Sequence, residues 1–160
     1  MSVVITRCSS DDCNDLLVLL REFQKEIAGL AGYATFEPDM ELNAECLEDF
    51  LDMPDYGVFL AKTPKGHLLG YCAAFPMQVG LREERFAILD QIYVRADFRR
   101  QHIGHELLVQ AKHFARSCKC LRLQLTMSAF FRQETAVNFF DSEKFYRTGG
   151  RKHKISLNAS

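Results

Sequence analysis

The stretch "LDQIYVRADFRRQHIGHELL", Leu89 to Leu108, changes character twice. Its first six residues are dominated by apolar and aromatic types and read as the end of a β-strand. A polar turn follows, with paired arginines (Arg99, Arg100) and a single glycine (Gly104). From Ile103 the apolar residues recur at helical spacing, and Leu107, Leu108, Ala111, Phe114 and Ala115 fall on one face of a helix over about 103–117. A strand followed directly by a polar turn and a helix start places unsatisfied backbone N–H groups, and the positive end of the helix dipole, just beyond the strand's carboxyl end. That is a natural seat for an anion, with the arginines as cationic donors and Gly104 removing a side chain at the point of approach. The turn is neither a Walker A loop nor a GxGxxG fingerprint, so on these grounds alone a solvated basic loop remains the alternative.

Upstream, Val3–Thr6 reads as a short strand. Ser9, Ser10 and Asp11 offer helix caps, and Leu16, Leu19, Leu20, Phe23, Ile27 and Leu30 mark an amphipathic helix over about 11–30. Two glycines and a proline between Ala28 and Pro38 make a loop. A second helix follows, with Leu42, Cys46, Phe50 and Leu51 as its expected buried stripe and an end near Met53–Pro54. "YGVFLAK" (56–62), "HLLGYCAAFPMQV" (67–79) and "RFAILDQIYV" (85–94) are three β-segments joined by short turns, hence neighbouring antiparallel strands. Downstream, "LRLQLTM" (121–127) alternates at period two, Gln133–Ser142 is a shorter helix, and "FYRTGGRKHKISL" (145–157) is a hairpin turning at Gly149–Gly150. The crossover through the 103–117 helix makes strands 85–94 and 121–127 parallel. The expected fold is α/β, a mixed, mostly antiparallel central sheet flanked by helices.

At 160 residues, such a chain buries roughly 70% of its unfolded surface and needs one domain only, spanning 1–160. No apolar run approaches the ~18 residues of a membrane span and the N-terminus carries no secretory pattern, so a cytoplasmic protein with no membrane partner is expected. The six cysteines show no CxxC pair or zinc spacing. Reduced structural thiols are expected and no metal site. The net charge of −1 conceals a separation. Residues 1–60 hold 13 acidic groups against three basic ones, and residues 61–160 hold 8 acidic against 17 basic. An anionic ligand would suit the back half and a cationic one the front half, although two solvated faces of opposite sign fit equally. The arginine pair is short and the total charge slightly negative, so nucleic acid is not an expected partner.

The same twenty residues resemble the acetyl-CoA-binding motif of the GNAT superfamily of N-acetyltransferases, Q/R-x-x-G-x-G/A after a strand ending in Val. Val94 ends the strand, Arg99 is the Q/R, Gly104 is the second glycine and His102 stands at the first. "QETAVNFFDSEKF" resembles the family's second motif, N-x-x-A-x-x-F-Y-x-x-x-G-F, with Gln133 for Asn, Phe140 for Tyr and Lys144 for Gly. "LDQIYV" and "NFF" are most similar to diamine acetyltransferase-like members. The resemblance implies the GNAT fold over about 3–157 and transfer of an acetyl group from acetyl-CoA to a primary amine of a small cationic molecule. It implies that the backbone of Ile92, Tyr93 and Val94 holds the pantetheine and acetyl group. The turn Arg99, Arg100, Gln101, His102, Ile103, Gly104 and His105 would hold the pyrophosphate, and Gln133 and Asn138 would neighbour the thiol end. It leaves a homodimer open.

An alkylammonium of pKa ~10.4 must lose a proton before it attacks a thioester. Asp90 and Glu84, on or beside the strand leading to the acetyl site, are the candidate bases. Tyr33, Phe36 and Glu37, between the first two helices, suit a cationic acceptor by stacking and ion pairing. Many members use the second-motif tyrosine as an acid toward the departing thiolate, and Phe140 has no hydroxyl. A non-catalytic acyl-CoA sensor and a protein lysine or N-terminal acetyltransferase therefore stay open. If the His102 position needs a positive φ, histidine tolerates it better than most residues, and its imidazole could also donate to phosphate.

Overall fold

The computed structural model describes residues 1–30, 44–78, 81, 84–125 and 134–148. A strand β1 (Val4–Arg7) leads through a 3₁₀ turn (Ser10–Asp12) into helix α1 (Cys13–Ala28), and α2 (Ala44–Leu51) follows. Strands β2 (Gly57–Lys62), β3 (Leu68–Gln78) and β4 (Arg85–Val94) come next, then α3 (Ile103–Ser117), β5 (Leu123–Gln124) and α4 (Glu134–Ser142). The sheet runs β1-β2-β3-β4-β5, antiparallel as far as β4, with β5 parallel to β4 across the α3 crossover. This is the mixed α/β sheet expected from the sequence.

Alternation along the strands sends side chains to two faces, with α1 and α2 on one and α3 and α4 on the other. Val58, Leu60, Tyr71, Ala73 and Tyr93 pack under α1 with Leu16, Leu19, Leu20 and Phe23. Phe59, Ala61, Cys72, Ala74, Leu89 and Ile92 pack under α3 with Ile103, Leu107, Leu108, Ala111 and Phe114. All five α3 residues expected on the buried face are buried.

Three expectations need correction. Phe50 is 44% exposed, because α2 buries Leu51 and half-buries Leu47, one turn apart, and Phe50 sits about 100° round the helix from Leu51. Of the period-two segment 121–127, the described residues 121–125 hold a strand at Leu123–Gln124, with Leu121 78% exposed, and 126–127 lie outside the described residues. Phe145–Thr148 form no strand, and the rest of the expected hairpin lies outside the described residues.

Burial also sets the thiol chemistry. Desolvation, with Asp12 nearby as a smaller cause, pushes the Cys8 thiol from its ordinary 9.0 up to about 12. The folded state thus keeps this proton to higher pH than the unfolded one. Its contribution to stability is complete below about pH 9 and is lost as pH rises toward 12. Cys8 is expected to be silent to an aromatic disulfide reagent at pH 8 in the native protein and to react once denaturant exposes it. Rapid native labelling of Cys8, read by peptide mass, would contradict this.

Candidate active site

The strand β4 carries the decisive irregularity. Ala73 of β3 faces Gln91 and Ala74 faces Leu89, so Asp90 is an extra residue, a β-bulge. A bulge breaks the alternation of side chains and re-aims them locally. Leu89 and Ile92 both belong to the α3 face, and the two residues between them turn to the other side. There the Tyr71 hydroxyl donates to Gln91 Oε1 at 2.6 Å and the Tyr56 hydroxyl donates to Asp90 Oδ2 at 2.9 Å. Asp90 is exposed and the bulge aims its carboxylate out over the α1–α2 side of the sheet.

Beyond the bulge, the β4 edge that faces away from β3 has no strand partner among the described residues. The Arg95 amide donates to Leu69 O of β3 at 3.0 Å, whereas the Ala87 amide donates to Arg122 O on the β5 side at 2.9 Å. Successive residues point their amides to opposite sides, so Ile92 and Val94 direct theirs away from β3. β5 pairs with β4 only at Ala87 and Ile88, and among the described residues no strand neighbours the edge from Leu89 onward on that side.

The turn after β4 supplies further donors. In α3 the bond Glu106 N to His102 O, 3.0 Å, is the first helical one, so the amides of Ile103, Gly104 and His105 have no acceptor within the helix. Arg100 and His102 both have φ +62°, and left-handed residues spaced through a turn gather N–H groups into an anion-binding concavity. The positive φ anticipated for His102 is therefore present, and it recurs at Arg100, which the sequence did not flag. A left-handed non-glycine residue costs roughly 1–2 kcal/mol, partly offset by the extra unfolded-state freedom of glycine. His102→Gly is expected to raise stability by about 0.5–1 kcal/mol, and a thermal melt no higher than wild type would contradict that strain.

Several side chains do not do what their types suggested. Arg99 is no mobile donor: its guanidinium holds Val94 O at 2.8 Å and both carboxylate oxygens of Glu26 at 2.7 Å, and lies over the Tyr93 ring. Arg95 clasps Glu22, one turn earlier on α1, at 2.7 and 2.8 Å. Two arginines thus bolt the turn to α1, leaving Arg100 as its exposed cation. Gln101 reaches back to Asp97 O at 3.4 Å, and the His105 ring is held at 2.8 Å by Glu143, so both side chains are engaged within the protein. Ile103 is buried in the core and can offer only its amide. At Gly104 a Cβ would meet the Phe139 ring at 3.2 Å, so this glycine makes room for α4.

Glu84 is separated from this site. It precedes β4, pairs with Arg122 at 3.1 Å, and lies about 23 Å along the strand from Ile92 once the bulge is counted, whereas Asp90 lies within about 7 Å. Asn138 is exposed on α4. Phe140 is buried against Phe139 and Phe145, and Lys144 holds the left-handed conformation (φ +68°) that glycine would hold in the second motif. Tyr146 is 83% exposed. Gln133, Tyr33, Phe36 and Glu37 lie outside the described residues. Tyr56, Glu22 and Glu26 were not foreseen, because each acts through a partner 34 or 73 positions away.

Residues 20–149 match the acetyltransferase (GNAT) family. Among solved structures, a probable acetyltransferase is 23% identical with a TM-score of 0.75, each chain covered in full. An aminoglycoside acetyltransferase from an uncultured soil metagenomic sample is 16% identical with a TM-score of 0.78, covering 99% of this chain and 100% of its own. The ribosomal-protein-alanine N-acetyltransferase of Brucella melitensis is 16% identical with a TM-score of 0.70, covering 98% and 100%. The family match spans the bulged strand, the turn that follows it, helix α3 and the second motif together, and the chain belongs to the GNAT family of acetyltransferases.

Proposed function

We propose that this acetyltransferase, acting as one domain over 1–160, moves an acetyl group from acetyl-CoA to a primary amine of a small cationic molecule. The observation that carries the reading is the juxtaposition on one bulged strand of an open amide edge and an exposed carboxylate, followed at once by a helix N-terminus. The residues present fit the cosubstrate. The amides of Ile103, Gly104 and His105 would hold its pyrophosphate, and the β4 edge at Ile92 and Val94 would pair with its pantetheine. When bound, acetyl-CoA supplies an activated thioester carbonyl. The Ile92 amide would donate to the carbonyl oxygen as negative charge develops there. Asp90 would take the proton of the attacking ammonium, directly or through one water.

The acidic front half of the chain suits a cationic acceptor, and similarity of "LDQIYV" and "NFF" to diamine acetyltransferase-like members favours a polyamine among such acceptors. An aminoglycoside is the other small-molecule class, since solved neighbours act on it. Phe140 is buried and has no hydroxyl, so it cannot protonate the departing thiolate. That single fact favours the second reading, an acyl-CoA-binding sensor.

Thermal melts with acetyl-CoA, CoA and ATP, followed by thiol release across polyamines, aminoglycosides, amino acids and a lysine peptide, test both. Stabilisation by the two CoA compounds and thiol release with a small amine are expected. Stabilisation without release from any amine would establish the sensor, and no stabilisation by CoA compounds would overturn both readings.

A further inference from the structure

The geometry points to Tyr56 as a positioning residue that holds the Asp90 carboxylate in the orientation from which it accepts a proton. This rests on the acetyltransferase reading and on Asp90 as the proton acceptor. Tyr56 precedes β2, opposite the bulge across β3, and its ring is fixed. It stacks on Phe75 at 5.6 Å with the planes 7° apart, and it touches Phe50 at 5.4 Å. Its backbone is fixed as well: its amide donates to Met53 O at 3.1 Å, and Arg7 reaches the Pro54 and Tyr56 carbonyls at 2.8 and 3.4 Å. The hydroxyl therefore has one place to go, and it donates to Asp90 Oδ2 at 2.9 Å.

The bulge makes this hydrogen bond necessary. Asp90 has no cross-strand neighbour in register, and an exposed carboxylate with free χ angles would sample many orientations. Tyr56 engages one oxygen and leaves Oδ1 to face the acceptor amine. Burial, with the Asp90 charge and this hydrogen bond as lesser causes, pushes the Tyr56 hydroxyl up, so it stays protonated and acts only as a donor. The group that moves protons is thus Asp90, and the group that aims it is Tyr56.

Tyr56→Phe keeps the ring and its stacking while deleting the donor. It is expected to lower kcat about tenfold, the scale of a lost hydrogen bond to a charged group, with KM for acetyl-CoA within twofold of wild type. In an Asp90→Asn background the same change should cost nothing further, since the carboxylate it serves is gone. Retained stabilisation by acetyl-CoA in each variant confirms that it is folded. An unchanged kcat in Tyr56→Phe, or an equal loss in both backgrounds, would overturn the assignment while leaving the acetyltransferase reading intact. Absence of thiol release from the wild-type protein with every amine would instead overturn that reading, and this one with it.

Discussion

Asp90→Asn is expected to lower kcat for amine acetylation by about 10²–10³-fold, within the range general-base assistance supplies, while KM for acetyl-CoA stays near the wild-type value. The cause is local. The bulge aims an exposed carboxylate over the sheet about 7 Å along β4 from Ile92, within reach of an amine attacking at the strand's open edge or of one intervening water. Asparagine keeps the shape and can still accept from the Tyr56 hydroxyl, so stability should change by no more than about 0.5 kcal/mol. Steady-state thiol release with the amine varied decides the matter. An unchanged kcat with a raised amine KM would make Asp90 a binding group only. Glu84→Gln is the contrast: held by Arg122 at the far end of β4, it should leave the rate as it is.

Gly70→Ala is expected to damage both fold and site. Gly70 lies opposite Val94 in the β3–β4 ladder, and a Cβ there would press onto the Tyr93 carbonyl oxygen and come within 3.0 Å of Val94 Cα. These are backbone atoms and have no rotamer to yield. The strand end must move, at a cost of about 2–4 kcal/mol, equivalent to a fall in Tm of roughly 5–15 °C. The atoms displaced lie on the β3 side of the strand end whose opposite edge is proposed to align pantetheine and thioester. Misplacing reacting groups by about 1 Å can cost 10²-fold, so kcat/KM should fall by about that much in protein that is still folded. A melt and rate indistinguishable from wild type would show that the β4 end tolerates movement and is not the alignment edge.

Much of this was written locally. The 3.6-residue recurrence of Leu107, Leu108, Ala111 and Phe114 and the apolar β-segment at 67–79 bounded by turn residues reflect local geometry, which a chain cannot hide. The turn from Arg95 to Gly104 announced itself for the same reason: a strand end, a polar turn and a helix start are consecutive in sequence. Phe50 was misjudged because helical periodicity defines a stripe without saying which edge of it meets the sheet.

By itself, then, the sequence determined the order of the described elements, the mixed sheet, the polar turn between β4 and α3 and the family they belong to. Tertiary structure alone decided the rest. It paired Arg99 with Glu26 and so engaged a guanidinium that residue type suggested was mobile. It packed Gly104 against Phe139, set Glu84 at the far end of β4 from Ile92, and brought Tyr56 to Asp90 across 34 positions. It also turned Asp90 and Gln91 to one face through a bulge that no alternation rule anticipates. Each of these depends on contacts between distant segments, and local periodicity carries no information about which distant atoms meet.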